Sequence, residues 1–344
     1  MADILTRTRI AETGLHVPAL GFGGGTLGDP DVITSEDQAQ ATLEEAWRLG
    51  IRYFDTAPWY GNTKSEHRIG TFLRQKPRSD FVISTKIGRV YFRPGDPEDF
   101  KTSKWMKRWA GGLPFDLRFD YTRDGILRSY EDSLTRLGLN RVDALVIHDL
   151  DIKHQQTEEG VLAALDQLDA GGGFQALADL KASGEIKAIG AGINLAGMIG
   201  RLLPRFPIDY FLVAMPYTLL DQPALDGDFD LCANHRASVV IGAVFASGIL
   251  AAGHGQYGYQ PADAVIQDRV SALGDVCRRH GVELPAAALQ FPLAHPVVAS
   301  VIPGANAPEQ VTQNVSNFQA GIPDAFWADL KSENLLHPKA PTPV

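Results

Sequence analysis

The feature that most constrains the fold of this chain is the alternation of strand-like and helix-like runs along almost its whole length. Eight short runs rich in apolar, β-branched and aromatic residues predict strands. They are 18–24, 51–57, 81–87, 142–149, 186–192, 209–215, 238–245 and 298–305. Nearly continuous apolar runs are typical of parallel strands that are covered on both faces. The pattern therefore predicts an α/β fold with a parallel sheet and right-handed crossovers.

Helical segments separate several of these runs, and their ends carry capping signals. Ser35 precedes an amphipathic stretch that stops at Gly50, and Thr122 and Gly138 delimit a second stretch in the same way. The same criteria predict two more helices, over 175–185 and 262–281. Eight strand–helix units favour a closed (β/α)₈ TIM barrel over an open doubly wound sheet, which remains the structural alternative.

The chain shows no linker, internal repeat or low-complexity tract, so we expect 1–344 to form one barrel domain. A turn at Thr13 and Gly14 predicts an N-terminal β-hairpin within 1–17. The proline-rich stretch 335–344 predicts an extended tail.

Two connections after predicted strands are unusually long. One runs from Gly88 to Tyr121 and is rich in aromatic residues, and the other runs from Ala246 to about Pro261 and is rich in glycine. Loops of this length are typical of lids and binding loops. We expect both to lie at the C-terminal face of the barrel.

The composition excludes several classes of partner. The formal net charge is −9 and no block of basic residues occurs, which argues against nucleic acid and against an anionic membrane surface. No apolar run is long enough to span a bilayer, and the first residues lack the apolar core of a secretion signal. Cys232 and Cys277 are too few for a disulfide framework. We therefore expect a cytoplasmic protein that acts on a small molecule.

Polar side chains stand where three consecutive predicted strands end. Asp55, Lys86 and His148 close otherwise apolar runs, and Tyr60 follows Asp55 in the next loop. In a (β/α)₈ barrel the carboxyl ends of the strands meet at one rim, where active sites lie. We expect the four side chains to lie close together at that rim.

This set of groups suits proton transfer beside a carbinol or carbonyl carbon. A phenol has a reference pKa of about 10, and a neighbouring ammonium lowers it. Lys86 could act on Tyr60 in this way, Asp55 could hold Lys86, and His148 could orient a substrate oxygen. Each residue also has a structural explanation: an ion pair for Lys86, a core histidine for His148, a helix cap for Asp55 and packing for Tyr60.

The stretch 50–70, GIRYFDTAPWYGNTKSEHRIG, resembles the signature of the aldo-keto reductases. Lys86 in STKIG and His148 in LVIHD stand where that family keeps the rest of its Asp-Tyr-Lys-His tetrad, and SVIPGANAPEQVTQN is similar to its cofactor-phosphate segment. The resemblance implies a (β/α)₈ barrel and a nicotinamide dinucleotide. It also implies that Asp55, Tyr60, Lys86 and His148 are catalytic, with Tyr60 transferring the proton.

The resemblance also implies a set of cofactor contacts around the barrel mouth. These are Gly25, Thr26, Asp55, Asn194, Tyr217, Phe245, Ser247, Gly248, Leu250, Pro303, Gly304, Ala305, Gln310 and Asn314. Tyr217 matches the position that stacks on nicotinamide, and the backbone of Gly248 could donate to the pyrophosphate. A helix predicted to start near Pro308 would present its amides to anionic oxygens.

The adenosine end of the expected site predicts NAD as the cofactor. Family members that prefer NADP usually carry a cation in this segment, because a 2′-phosphate needs one. Here 303–314 contains no lysine or arginine, and Glu309 is acidic. NAD suits oxidation, so we expect a dehydrogenase.

The stretches DTAPWYG, YTLLDQ and GAGIN are similar to a bacterial branch of the family that oxidises pyridoxal or D-threo-aldoses such as L-fucose. Both substrates present a cyclic hemiacetal, which oxidation converts to a lactone. The expected substrate contacts are Trp59, Tyr91, Phe92, His148 and Asp149. A general aldehyde or ketone reductase of the same family is the nearest alternative.

Two readings from other classes stay open. The run HDLDIKH contains His148, Asp149, Asp151 and His154 and could belong to a metal-dependent hydrolase, although its spacing fits no recognised ligand set and we expect no metal. A barrel that binds a dinucleotide without turning it over is the other. The sequence leaves the oligomeric state open.

Overall fold

A computed structural model describes residues 4, 6–96, 98, 108–253, 255–258 and 260–343. Its strands are β1 (Arg7–Arg9), β2 (His16–Pro18), β3 (Phe22–Gly23), β4 (Tyr53–Asp55), β5 (Val82–Ile87), β6 (Arg89–Phe92), β7 (Asp116–Phe119), β8 (Ala144–Ile147), β9 (Ala188–Ile193), β10 (Tyr210–Val213), β11 (Ser238–Ile241), β12 (Gln256–Tyr257), β13 (Gln260–Pro261) and β14 (Val298–Val301). Each of the eight predicted runs contains one strand of the main sheet.

The α-helices surround this sheet. They are α1 (Glu36–Arg48), α2 (Lys64–Leu73), α3 (Arg123–Leu137), α4 (Ile152–Gln155), α5 (Glu158–Leu168), α6 (Gly173–Ala182), α7 (Met198–Leu202), α8 (Asp228–His235), α9 (Ile249–Ala252), α10 (Ala264–His280), α11 (Leu284–Gln290), α12 (Pro308–Gln319) and α13 (Asp324–Ser332). Among the described residues, no helix combines the length and the apolarity that crossing a bilayer requires.

The main sheet is a closed parallel barrel. Its eight strands are hydrogen-bonded in the order β3, β4, β5, β8, β9, β10, β11 and β14, which is their order along the chain. Parallel bridges from Leu20 to Val301 and from Gly23 to Gly304 join the last strand to the first segment. An open doubly wound sheet would reverse its strand order at a switch point and leave two edges. The predicted (β/α)₈ barrel is therefore confirmed.

The period-two alternation of the strands divides their side chains between two apolar cores. Inward-facing Tyr53, Val82 and Val146 form one cluster, whereas outward-facing neighbours such as Phe54 and Ile83 pack against the helices. The hairpin of β1 and β2 places Ile10, Leu15 and Val17 in the inner cluster, so it closes the lower end of the barrel. The upper end remains for polar groups.

The predicted helix ends are confirmed where a cap specified them. The side chain of Ser35 accepts a hydrogen bond from the backbone of Gln38 before α1, and that of Thr122 accepts from Gly125 before α3. Gly138 ends α3 with a φ of 63°, a left-handed conformation that glycine adopts without a steric penalty.

The long connection after β5 contains a hairpin instead of an irregular loop. Strands β6 and β7 pair antiparallel, with Arg89 opposite Phe119. Residues 97 and 99–107 of this connection lie outside the described residues. The second long connection contains α9 and the short β12–β13 ladder, and its residues 254 and 259 are likewise not described.

The C-terminal tail lies against the barrel. Leu335, Leu336 and Ala340 are buried. Arg269 donates to the carbonyl of Leu335, and the side-chain oxygen of Gln222 accepts from the backbone of His337. The tail is thus tied down by both apolar contacts and hydrogen bonds.

Gly70 tests how closely the outer helices pack. A Cβ at this position of α2 would lie 2.4 Å from the carbonyl oxygen of Leu137 at the end of α3. We expect Gly70→Ala to lower the free energy of unfolding by about 1–3 kcal/mol, because the obstacle is backbone. The control is Gly274→Ala in α10, where the nearest atom is the flexible end of Arg278 at 3.5 Å. We expect the control to raise stability by about 0.5–1 kcal/mol through helix propensity. Urea unfolding measures both variants, and equal effects would contradict the packing.

Candidate active site

An ion pair buried in the upper barrel joins two adjacent strands. Lys86 Nζ lies 2.6 Å from Asp55 Oδ2 and also donates to the carbonyl of Thr56 at 2.8 Å. The hydroxyl of Ser84 donates to Asp55 Oδ1 at 2.7 Å. Burial raises the pKa of Asp55, and the lysine and serine contacts only partly offset that rise. The alternation that points Tyr53 and Val82 inward also points Asp55 and Lys86 inward, higher in the barrel.

Tyr60 lies directly beside this pair. Lys86 Nζ is 4.6 Å from the centroid of the Tyr60 ring. A short 3₁₀ turn over Gly24–Gly28 supports the Tyr60 loop from below, and a Cβ on Gly28 would lie 2.5 Å from the backbone nitrogen of Gly61. Only glycine permits so close a backbone approach. A Cβ on Gly25 would lie 3.9 Å from Tyr60 Cζ, so Gly25 stands beside the Tyr60 ring, and its contact with a cofactor stays a prediction.

His148 completes the group that the sequence predicted. Its ring meets that of Tyr60 edge-on, at a centroid distance of 6.0 Å and an interplanar angle of 89°. Burial lowers the pKa of His148 well below its ordinary value, and the neighbouring carboxylate of Asp149 opposes that effect. The structure thus brings together the three strand-end side chains and the loop residue Tyr60, as the sequence predicted.

Arg89 belongs to this site and was not predicted. It stands at the start of β6, three residues after Lys86, and is 2% exposed. Its Nη1 lies 2.9 Å from His148 Nδ1, and its Nη2 donates to Asp149 Oδ2 at 2.7 Å. The sequence signal for this role was the position of Arg89, a second cation three residues after the inward-facing Lys86. It could be interpreted only once the β6–β7 hairpin was known to fold over the rim.

Aromatic side chains enclose the space above Tyr60. Trp109 packs edge-on against Trp59 at 5.4 Å and against Tyr60 at 6.1 Å. Trp59 also contacts the Arg89 guanidinium, which is 4.9 Å from its ring centroid. The aromatic-rich connection after β5 was predicted to be a binding loop, but Trp109 was not among the predicted substrate contacts.

The two other aromatic residues predicted for substrate binding differ in position. Tyr91 is buried and shares its strand face with Arg89. Phe92 is 38% exposed and lies on the opposite face of β6, so its prediction as a substrate contact is not supported by the geometry.

The acidic run after β8 is already engaged in hydrogen bonds. Asn194 Nδ2 donates to Asp149 Oδ1 at 2.8 Å and to Asp151 Oδ2 at 3.1 Å. His154 Nδ1 lies 2.7 Å from Asp151 Oδ1. Within the described residues, Asp149, Asp151 and His154 are close enough to surround a metal ion. However, these partners take up their ligand atoms, which disfavours the metal-hydrolase reading. The same two bonds engage the Asn194 amide nitrogen, and the predicted contact of Asn194 with the cofactor stays a prediction.

The seam that closes the barrel uses another predicted cofactor residue. The hydroxyl of Thr26 donates to the carbonyl of Ala305 at 2.7 Å, and the backbone of Gly23 donates to the carbonyl of Pro303. A Cβ on Gly304 would lie 2.8 Å from Thr26. The Thr26 hydroxyl therefore holds the rim together, and its hydrogen is not directed to a ligand.

The loop after β11 is strained in a way typical of ligand-binding segments. Ala243, Ala246 and Ser247 have φ values of 48°, 47° and 64°, a left-handed region that costs free energy for residues with a Cβ. The tight curl turns the amides of Gly248 and Leu250 onto the carbonyl of Phe245. In this conformation the Gly248 amide is engaged within the loop and Leu250 is a core residue, and the donation from the Gly248 backbone to a phosphate stays a prediction.

Tyr217 lies four residues beyond the end of β10. Its ring is 0% exposed and packs against Phe229 at 4.7 Å and Phe291 at 5.3 Å. In this conformation apolar neighbours enclose the ring, and its stacking on nicotinamide stays a prediction. The apolar residues around it form part of the core outside the sheet.

Helix α12 begins at Pro308, as predicted, and its start suits an anionic group. Its N-cap residue is Ala307, and no side chain caps the first amides. Gln310 turns back to accept from the backbone of Asn306, while Asn314 is buried one turn further along. The helix start and the strained loop follow neighbouring strands, β14 and β11. Together they fit a dinucleotide lying along the rim.

Comparisons with known proteins agree with this geometry. The sequence profile of the Aldo/keto reductase family matches residues 19–334. The chain is 41% identical to pyridoxal 4-dehydrogenase of Microbacterium luteolum, with 95% of this chain and 97% of that protein covered. It is 40% identical to D-threo-aldose 1-dehydrogenase of a Pseudomonas species, with 98% and 99% covered. The solved structure of aldo-keto reductase AKR11C1 from Bacillus halodurans (holo form) superposes with a TM-score of 0.73 at 25% identity, covering 97% of each chain.

The buried ion pair makes a testable stability prediction. We expect Lys86→Met to lower the free energy of unfolding by about 3–5 kcal/mol, because Asp55 is left buried without its cation. The matched double variant Asp55→Asn/Lys86→Met removes both charges and should recover most of that loss. Denaturant unfolding of the three proteins measures the difference. Equal losses in the single and double variants would show that the two charges are not coupled.

Proposed function

Because this chain belongs to the aldo/keto reductase family, we propose that it is an NAD-dependent dehydrogenase that oxidises a cyclic hemiacetal to a lactone. The observation that carries the proposal is the buried Asp55–Lys86 pair beside Tyr60, with His148 edge-on to the same ring. Pyridoxal and D-threo-aldoses such as L-fucose are the proposed substrates. The two relatives at 40–41% identity, a pyridoxal 4-dehydrogenase and a D-threo-aldose 1-dehydrogenase, support this choice.

The proton moves through Tyr60 in this mechanism. As the hemiacetal is oxidised, its O–H bond breaks and the phenolate oxygen of Tyr60 takes the proton. The C–H bond of the same carbon breaks as well, a hydride leaves, and the carbon–oxygen bond becomes a carbonyl. When bound, the nicotinamide supplies the hydride acceptor. A phenolate is accessible near neutral pH only with positive charge beside it, and Lys86 supplies that charge. Asp55 holds the amine in place and balances its charge in the barrel interior.

The remaining residues orient the substrate. His148 faces the Tyr60 ring and is suited to donate a hydrogen bond to the substrate oxygen. Trp59 and Trp109 form apolar walls against which a pyridine ring or the apolar face of a sugar could pack. These walls also exclude water from the proton-transfer step.

NAD is the proposed cofactor because the rim near α12 is unfavourable for an additional phosphate. No lysine or arginine occurs in 303–314, and Glu309 lies in the first turn of α12. Thr312 of the same helix donates to Glu45 on α1, which is in turn paired with Arg48. The acidic groups there would repel a 2′-phosphate.

The mechanism predicts the effect of removing one hydroxyl. We expect Tyr60→Phe to reduce turnover by at least about a hundredfold, since general acid–base catalysis is lost, while the affinity for NADH stays within about twofold. The matched control is Tyr130→Phe, which removes a hydroxyl from α3 outside the barrel and should leave turnover unchanged. NADH formation from pyridoxal, L-fucose, D-arabinose and D-galactose at alkaline pH measures turnover. Near-normal turnover of Tyr60→Phe would reject the proton-transfer role, and activity confined to simple aldehydes or ketones would favour the general reductase.

The cofactor proposal has its own charge-reversal test. We expect Glu309→Arg to improve kcat/KM with NADP by about tenfold or more, because one good charge-assisted contact contributes about 1.5–3 kcal/mol. The control Glu159→Arg makes the same change in the first turn of α5, away from the rim, and should leave the NAD/NADP ratio unaltered. A preference for NADP in the unmodified protein would overturn the proposal.

A further inference from the structure

We propose that Arg89 is a positioning residue that holds His148 as the neutral imidazole protonated at Nε2. In this form the ring presents a hydrogen-bond donor to the substrate oxygen and keeps Nδ1 as an acceptor. The importance of that donor for turnover rests on the proposed function. The tautomer itself can be tested without any substrate.

The guanidinium group of Arg89 fixes the hydrogen-bonding role of His148 Nδ1. Arginine carries only hydrogen-bond donors and stays protonated at every physiological pH. Arg89 Nη1 lies 2.9 Å from His148 Nδ1, so Nδ1 has to accept with its lone pair. A proton on Nδ1 would point at the N–H of Arg89. The hydrogen of the neutral ring is therefore confined to Nε2.

Arg89 is itself held on several sides. Its Nη2 donates to Asp149 Oδ2 at 2.7 Å, and its guanidinium lies 4.9 Å from the ring centroid of Trp59 and 4.7 Å from that of Phe119. Burial alone would lower the pKa of Arg89, but Asp149, Tyr91 and Tyr121 together raise it by more, so the net pKa lies above its ordinary value. The cation is therefore permanent and cannot swing away from His148 without leaving Asp149.

Asp149 is placed by an uncommon backbone conformation. Its φ is 53°, in the left-handed region that aspartate tolerates better than most residues. That turn directs the side chain back beside the preceding His148, and Asn194 anchors the second oxygen of Asp149. Burial alone would raise the pKa of Asp149, but the interactions with His148 and Arg89 hold it below its ordinary range.

The charged groups around His148 act on its protonation in opposite directions. Asp149 favours the imidazolium, and its Oδ2 lies 3.5 Å from Nε2, where it also favours a proton on that nitrogen. Burial, Arg89, Lys86 and His154 disfavour the imidazolium, and they lower the pKa of His148. The Tyr60 ring covers a further side. The ring is therefore neutral near pH 7, and Arg89 decides which nitrogen carries the hydrogen.

Loss of Arg89 would release this constraint. The Nδ1–H tautomer would become accessible, and in that tautomer Nε2 has a lone pair that cannot donate to a substrate oxygen. A histidine in the wrong tautomer can cost several orders of magnitude in turnover in enzymes that depend on it. Removing only Arg89 would also leave Asp149 buried without its cation, so the variant has to be designed to preserve the local charge balance.

The test uses ¹⁵N nuclear magnetic resonance of the imidazole nitrogens. His148→Asn assigns the His148 signals by their disappearance. In the unmodified protein we expect Nε2–H and an accepting Nδ1 that do not change between about pH 5.5 and 8.5, a range that spans the ordinary titration of histidine. In the charge-neutral variant Arg89→Met/Asp149→Asn, we expect a mixture of the two neutral tautomers, because Nδ1 no longer faces the guanidinium donor and burial still keeps the ring neutral. Arg89→Lys keeps the charge but loses the planar fork, so it should also lose the fixed tautomer.

The matched control is Arg118→Met, which removes an exposed arginine from the same hairpin and should leave the spectra unchanged. Kinetics follow on the same proteins. We expect kcat to fall by about tenfold or more in the Arg89 variants, with KM changing by less than about threefold. An unchanged Nε2–H signal in both Arg89→Lys and the double variant would overturn the proposal. A changed tautomer in a protein that oxidises no hemiacetal would uphold the role of Arg89 and reject the proposed function instead.

Discussion

The ion pair of Asp55 and Lys86 is the interaction on which the chemistry of this barrel depends. Both groups are almost completely buried, and placing two charges in a barrel interior costs more free energy than a pair of apolar side chains would. Short hydrogen bonds offset that free-energy cost: Ser84 donates to Asp55, and Lys86 donates to the carbonyl of Thr56. Such a pair stabilises the fold poorly, so its value lies in what the ammonium does for the phenol beside it.

The polar groups of the rim are arranged in two connected sets. One set, on β4 and β5, holds positive charge beside Tyr60. The other set, around β8 and the β6–β7 hairpin, holds His148 neutral while burying Arg89 and Asp149 as a pair. Each cation has one carboxylate within hydrogen-bond distance, so neither set leaves a buried charge alone. Tyr60 lies between the two sets, with the charged Lys86 on one side and the neutral His148 on the other.

Local patterns accounted for much of the fold. Apolar runs marked all eight barrel strands, and side-chain caps such as Ser35 and Thr122 marked two helix starts, because these signals depend on near neighbours only. The period-two alternation likewise placed Asp55 and Lys86 inside the barrel. Arg89 and Trp109 were not predicted as site residues, because they reach the site from a hairpin and a loop that fold back over the rim. The sequence also did not show that Tyr217 packs into the core and that the Gly248 amide bonds within its own turn, because both contacts depend on tertiary packing.

The sequence by itself therefore determined which residues end the strands, and hence which polar groups meet at one rim. It could do so because parallel strands with regular spacing bring their carboxyl ends together. Only the tertiary structure decided which of those groups touch. The contacts of Arg89 with His148, of Asn194 with Asp149 and of Thr26 with Ala305 join residues 45 to 279 positions apart. Contacts of that separation depend on how loops close over the barrel, and no local periodicity encodes them.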